Sequence, residues 1–117
     1  PSSTAAEFFR RKQFSAELIH IDASHEYDDV LADLRWWYPH LSAGGVLLGD
    51  DYTLWAGVGR AVDAFAAERN LTVAFVAEQP VGRPADARRG RDAGRVFPTT
   101  AERCKTACKW VIRRPCA

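Results

Sequence analysis

The chain has 117 residues, 47% hydrophobic, 26% charged and 11% aromatic. That is enough to bury one modest core and too little for two domains. A formal net charge of +1 excludes a polyanion-binding chain or an acidic tail, and no apolar run approaches the ~20 residues of a membrane helix. No basic flank precedes a long apolar stretch, so neither a secretory leader nor a membrane partner is expected. Pro1 stands first and methionine is absent, which is expected of a piece of a longer protein.

Ala5 to Lys12 has a short helical pattern ending in a basic turn. Glu17-Leu18-Ile19-His20-Ile21-Asp22 is a brief, partly β-branched apolar run that stops at a carboxylate, the pattern of a buried strand. Tyr27, Val30, Leu31, Leu34, Trp37, Tyr38 and Leu41 then recur at three- and four-residue spacing, an amphipathic helix with one wide apolar stripe. Asp28, Asp29, Asp33 and Arg35 lie off that stripe, and the acids crowd the first turns, where the helix dipole favours them. Pro39 disturbs the last turn, and Gly44-Gly45 closes the unit.

Val46-Leu47-Leu48 predicts a second strand, running into Asp50 and Asp51. A helix from about Gly57 to Arg69 follows, with Val58, Val62 and Phe65 on its inner face. Leu71 to Ala77 predicts a third strand and Lys109 to Arg113 a fourth. Strands alternating with helices indicate an α/β fold with a parallel sheet covered on both faces.

Charge is unevenly spread. Through Gly82 there are 6 Lys/Arg against 12 Asp/Glu, and from Arg83 onward 10 against 3. The boundary between a body (1–80) and a basic irregular tail (81–117) is expected near Gln79-Pro80-Val81-Gly82-Arg83-Pro84, followed by a loop from Arg83 to Arg95. Aromatic residues are not interleaved with its arginines, which argues against a nucleic-acid partner and for simple solvation, with a clamp for an anionic substrate as the intermediate alternative. Cys104, Cys108 and Cys116 lack the second ligand pair of a zinc site and fit reduced thiols in a cytoplasmic protein.

In an open α/β sheet, ligands bind beyond the carboxyl ends of the strands. Asp22 ends the first strand and Asp50 and Asp51 end the second, so neighbouring parallel strands would bring three carboxylates together. Like charges in one small space raise each other's pKa unless a cation intervenes, and a hard divalent ion such as magnesium takes oxygen ligands of this kind. The plainer alternative has these acids capping the helices that follow. His25, three residues past Asp22 at the reactive edge, is the candidate general base. His20 is expected to be a hydrogen-bonded core residue and His40 a surface one. Trp37 belongs to the core stripe, leaving Trp36 and Trp55 as candidate pocket walls.

The segments Leu18-Ile19-His20-Ile21-Asp22-Ala23-Ser24-His25-Glu26-Tyr27, Asp33-Leu34 and Leu41-Ser42-Ala43-Gly44-Gly45-Val46-Leu47-Leu48-Gly49-Asp50-Asp51-Tyr52 closely resemble class I S-adenosylmethionine-dependent methyltransferases. Within that class the resemblance is to the macrolide-sugar and aminocoumarin-sugar O-methyltransferases, with cephalosporin-hydroxylase-like proteins as cousins. It covers about Ala16 to Val76 and leaves the tail outside.

The resemblance implies the C-terminal half of a Rossmann-like sheet with flanking helices. It also implies magnesium held by Asp22, Asp50 and Asp51, and His25 taking the proton of an acceptor hydroxyl on a small molecule. Asp22, Ala23 and Ser24 would then lie beside the cofactor. The family's glycine-rich cofactor loop has no counterpart here: there is no G-x-G-x-x-G, so the chain alone is expected to bind S-adenosylmethionine poorly. An uncovered sheet edge is expected to invite oligomers. Two other classes compete: a non-catalytic α/β module, and a glycosyl- or phosphoryl-transfer enzyme using the paired aspartates, in which His25 has no required role.

Overall fold

The computed structural model describes residues 1–77 and 108–116. The expected boundary near Gln79–Pro84, the arginine-rich loop and Cys104 lie outside the described residues. In chain order the elements are α1 (Ser2–Lys12), β1 (Ala16–Ile21), α2 (Tyr27–Trp37), a 3-10 turn (Tyr38–His40), β2 (Leu41–Gly49), α3 (Ala56–Arg69), β3 (Val73–Ala77) and β4 (Cys108–Arg113). No described helix is long and apolar enough to cross a membrane.

The four strands form one sheet in the order β1-β2-β4-β3. β1 and β2 are parallel, as expected, with Ile19 opposite Leu47 and Ile21 opposite Gly49. β4 runs antiparallel to both β2 and β3, so the sheet is mixed and not wholly parallel. An apolar run such as Trp110-Val111-Ile112 encodes burial but not direction. Its direction is set by its pairing between β2 and β3.

Strand alternation sorts the side chains onto two faces. Ile19, Ile21, Leu47, Trp110, Ile112, Val73 and Phe75 share one face and pack against Val30, Leu31, Leu34 and Tyr38 of the α2 segment and Val58, Ala61, Val62 and Phe65 of α3. Of the expected apolar stripe, Val30, Leu31, Leu34 and Tyr38 enter the core, Tyr27 packs against it, Leu41 enters it as the first residue of β2, and Trp37 stays outside it. The two helices are also joined by the Arg35–Glu68 ion pair and by Arg60 lying 5.0 Å over the Tyr27 ring. The other face carries Leu18, His20, Leu48, Val111, Ala74 and Val76, none of them buried, so the sheet is covered by α2 and α3 on one face only among the described residues. β1 is an edge strand here, not a buried one: Leu18 is 61% exposed.

Other expectations change with packing. Gly44-Gly45 does not end a unit but lies inside β2, where Gly44 takes φ +75 at a shift in the β1–β2 register. Asp33, off the stripe by periodicity, is buried at 7% exposure. His40 is buried against the rings of Phe9 and Trp37, because α1 folds back over the end of α2 and covers it. Trp37 joins this satellite cluster and donates its indole N–H to Ser2 Oγ at 2.6 Å.

Gly49 is the tightest point of the sheet. A Cβ there would sit 2.6 Å from Trp110 Cε2, and the Trp110 indole N–H donates to the Asp50 carbonyl at 3.2 Å. Gly49→Ala should therefore overpack the core and cost about 1–3 kcal/mol, read as a lowered urea midpoint. An unchanged midpoint would show that the ring is not held against the strand. The uncovered β1 edge predicts self-association that grows with concentration and weakens in Leu18→Lys, since a lysine on an edge strand blocks pairing. Sedimentation showing one monomeric species throughout would refute it.

Candidate functional site

Because Ile21 pairs with Gly49 in parallel register, the residues that follow them, Asp22 and Asp50, leave the sheet side by side. β4 runs the opposite way, so its first residues arrive at this same edge and bring Lys109 with them. His20, Asp22, Asp50 and Lys109 all stand on the open face by strand alternation. Ligand atoms of His20, Asp22 and Asp50 lie within 4.8 Å of one another. His20, expected in the core, is exposed, and its Nε2 meets Asp50 Oδ2 at 3.1 Å. Lys109 Nζ donates to Asp50 Oδ1 at 2.7 Å.

Asp51 is not part of this cluster. It takes a left-handed conformation, φ 64, and turns toward the helix layer, where Oδ2 accepts a hydrogen bond from His25 Nε2 at 3.1 Å. Of the three expected magnesium ligands, Asp22 and Asp50 group with His20, while Asp51 engages His25. Asp51 bonds to His25 and does not join the His20–Asp22–Asp50 group, although Asp22, Asp50 and Asp51 all border the same small hollow.

His25 is braced on two sides. The Trp55 ring stacks on it at 4.6 Å with an interplanar angle of 3°, and Asp51 holds Nε2. With Asp51 ionised, Nε2 carries the proton and donates it, which leaves Nδ1 as the acceptor nitrogen. Gly57, at the start of α3, permits this approach, because a Cβ there would collide with the His25 carbonyl. Asp22, Ser24, His25, Asp50 and Asp51, with Ile21, Val30, Val58 and Trp110, line a hollow of about 10 Å³, room for about one water.

Ser24 ties down the loop: its Oγ donates to Asp29 Oδ2 at 2.8 Å and accepts from the Glu26 backbone N–H. Ala23 and Asp22 line a larger cavity of about 340 Å³ beside β1, walled by Phe9, Ile19, Ile21 and Trp37, with buried Asp33 on its floor. Trp36, 44% exposed on α2, lines neither cavity; of the two tryptophans proposed as walls, only Trp55 reaches the site. The plainer reading of the acids as helix caps fails, since neither α2 nor α3 has a side-chain cap hydrogen bond. Sequence reasoning missed Lys109 and His20. Lys109 was invisible because its place depends on the direction of β4; the spacing His20-x-Asp22 on one strand face was a usable signal.

Burial by itself would raise the Asp50 carboxyl, but the hydrogen bonds from Lys109 and His20 outweigh it and hold the pKa below the ordinary carboxylate value. Burial and the Asp63 carboxylate, which accepts the Tyr52 hydroxyl at 2.7 Å, push the Tyr52 phenol up. A folded-state pKa depressed below the unfolded one adds stability above the ordinary carboxylate range, and that stability is lost as pH falls through the depressed value. Asp50→Asn should therefore flatten part of the acid limb of a thermal midpoint against pH profile. An identical limb in both proteins would mean that the Lys109 and His20 contacts do not hold in solution.

Residues 1–52, which carry Asp22, Ala23, Ser24, His25, Asp50 and Asp51, match the model of a family described as a methyltransferase domain. No curated protein matches the chain. The family match supports methyltransferase activity in general for the segment that builds this site.

Proposed function

We propose that this chain is the C-terminal half of a Rossmann-like, S-adenosylmethionine-dependent O-methyltransferase acting on a small hydroxylated molecule, with His25 as its general base. The observation that carries this reading is the His25 imidazole held between the Asp51 carboxylate and the Trp55 ring, at the carboxyl edge of two parallel strands. Such bracing leaves one nitrogen, Nδ1, free to take a proton from an acceptor hydroxyl. As the hydroxyl oxygen forms its bond to carbon, its proton passes to Nδ1, and the ionised Asp51 stabilises the imidazolium that results. S-adenosylmethionine, when bound, supplies a sulfonium methyl whose carbon–sulfur bond breaks as the new bond forms.

For the cofactor the chain offers Asp22 and Ala23 along the larger cavity. Asp22 has no hydrogen-bond partner among the described residues, so its carboxylate is a free acceptor for a cofactor ammonium or ribose hydroxyl. Ser24 supports them by holding the loop. Of the acids expected to hold magnesium, Asp50 already bonds Lys109 and His20, and Asp51 bonds His25.

The test is methyl transfer to hydroxylated acceptors by the protein that carries this segment. His25→Ala should lower turnover by ~10²–10⁴ with cofactor affinity nearly unchanged, the usual scale for a lost general base. Asp51→Asn should keep part of that loss, and Trp55→Phe should be milder than Trp55→Ala because a ring still stacks. Full turnover in His25→Ala would defeat the general-base role and favour the non-catalytic module.

A further inference from the structure

The open face at the carboxyl edge holds two carboxylates, one imidazole and one ammonium. Asp50 is the centre of the group: Lys109 Nζ lies 2.7 Å from Oδ1 and His20 Nε2 lies 3.1 Å from Oδ2. Asp22 completes the set, its carboxylate within 4.8 Å of the His20 and Asp50 ligand atoms. Two negative charges so close require a positive one, and Lys109 supplies it from another strand. Trp110, the next residue, is locked on the opposite face by packing on Gly49 and by its hydrogen bond to the Asp50 carbonyl. The strand that carries the ammonium is thereby held in register with the strand that carries the carboxylate.

We propose that Lys109 is the resident cation of this site, holding Asp50 in the place that the family resemblance assigned to magnesium, so that the native site takes up no divalent ion. A divalent ion coordinating Asp50 Oδ1 would stand about 2.1 Å from that oxygen, and the ammonium on the same atom would repel it. The lysine ammonium is a compact point charge that offsets the negative charge of Asp50, the carboxylate it bonds. Removing it should leave His20, Asp22 and Asp50 as an imidazole–dicarboxylate set suited to a divalent transition ion. This inference concerns the charge balance of the site and stands whether or not the chain transfers methyl groups.

Manganese(II) titration followed by electron paramagnetic resonance of the free ion tests it on the chain as it is. The native protein and Lys109→Arg, which keeps the charge, should show no saturable site. Lys109→Met should gain one site with at least roughly tenfold tighter binding, worth about 1.4 kcal/mol. Lys109→Met with Asp50→Asn should lose it again. Far-ultraviolet circular dichroism and the thermal midpoint establish that each variant is folded before titration. The proposal is overturned if the native chain binds one manganese ion that Asp50→Asn removes. It is equally overturned if folded Lys109→Met binds no better than the native chain.

Discussion

The fit of the Trp110 indole against Gly49 is the contact on which the rest of this structure depends. It works only because position 49 has no Cβ, and it fixes two things at once. On the helix side it fills the core beneath α2 and α3 with the largest fully buried side chain of the chain. On the strand side it sets the register of β4 against β2, with Gly49 opposite Trp110. The neighbouring Lys109 is then delivered to the open face, within hydrogen-bond reach of Asp50. Core packing and the electrostatics of the site are consequences of one close approach.

The divided carboxylates follow from the same geometry. Adjacent residues leaving a strand point to opposite faces, which starts Asp50 and Asp51 in different directions. The left-handed conformation of Asp51 completes the separation and aims its carboxylate at His25. One aspartate serves a cation on the open face, and its neighbour serves an imidazole on the covered face. The two adjacent acids therefore have different partners, Lys109 and His20 for Asp50 and His25 for Asp51.

Residues 1–52 match a methyltransferase domain family, and they carry Asp22, His25, Asp50 and Asp51 of the site. The residues that balance it come from beyond that match: Trp55 and Gly57 from the start of α3, and Lys109 from β4. The orientation of His25 thus rests in part on a stacking ring and a glycine outside the matched region. The mixed four-stranded sheet, with helices in the core on one face, is compatible with part of a methyltransferase fold.

Periodicity and run length by themselves determined the α/β class, the three helices, the four strands and the core stripe of α2, because burial imposes the repeat of a helix or strand on the sequence directly. They also determined that acids follow β1 and β2 and that His25 lies beside them. Tertiary structure alone decided the direction of β4, which an apolar run does not record. It decided that His20 is exposed and His40 buried, since each depends on what another element covers. It decided that Asp51 pairs with His25 and that Lys109 joins Asp50, because both contacts join residues far apart in sequence, and strand register and backbone twist, not spacing, set which groups meet.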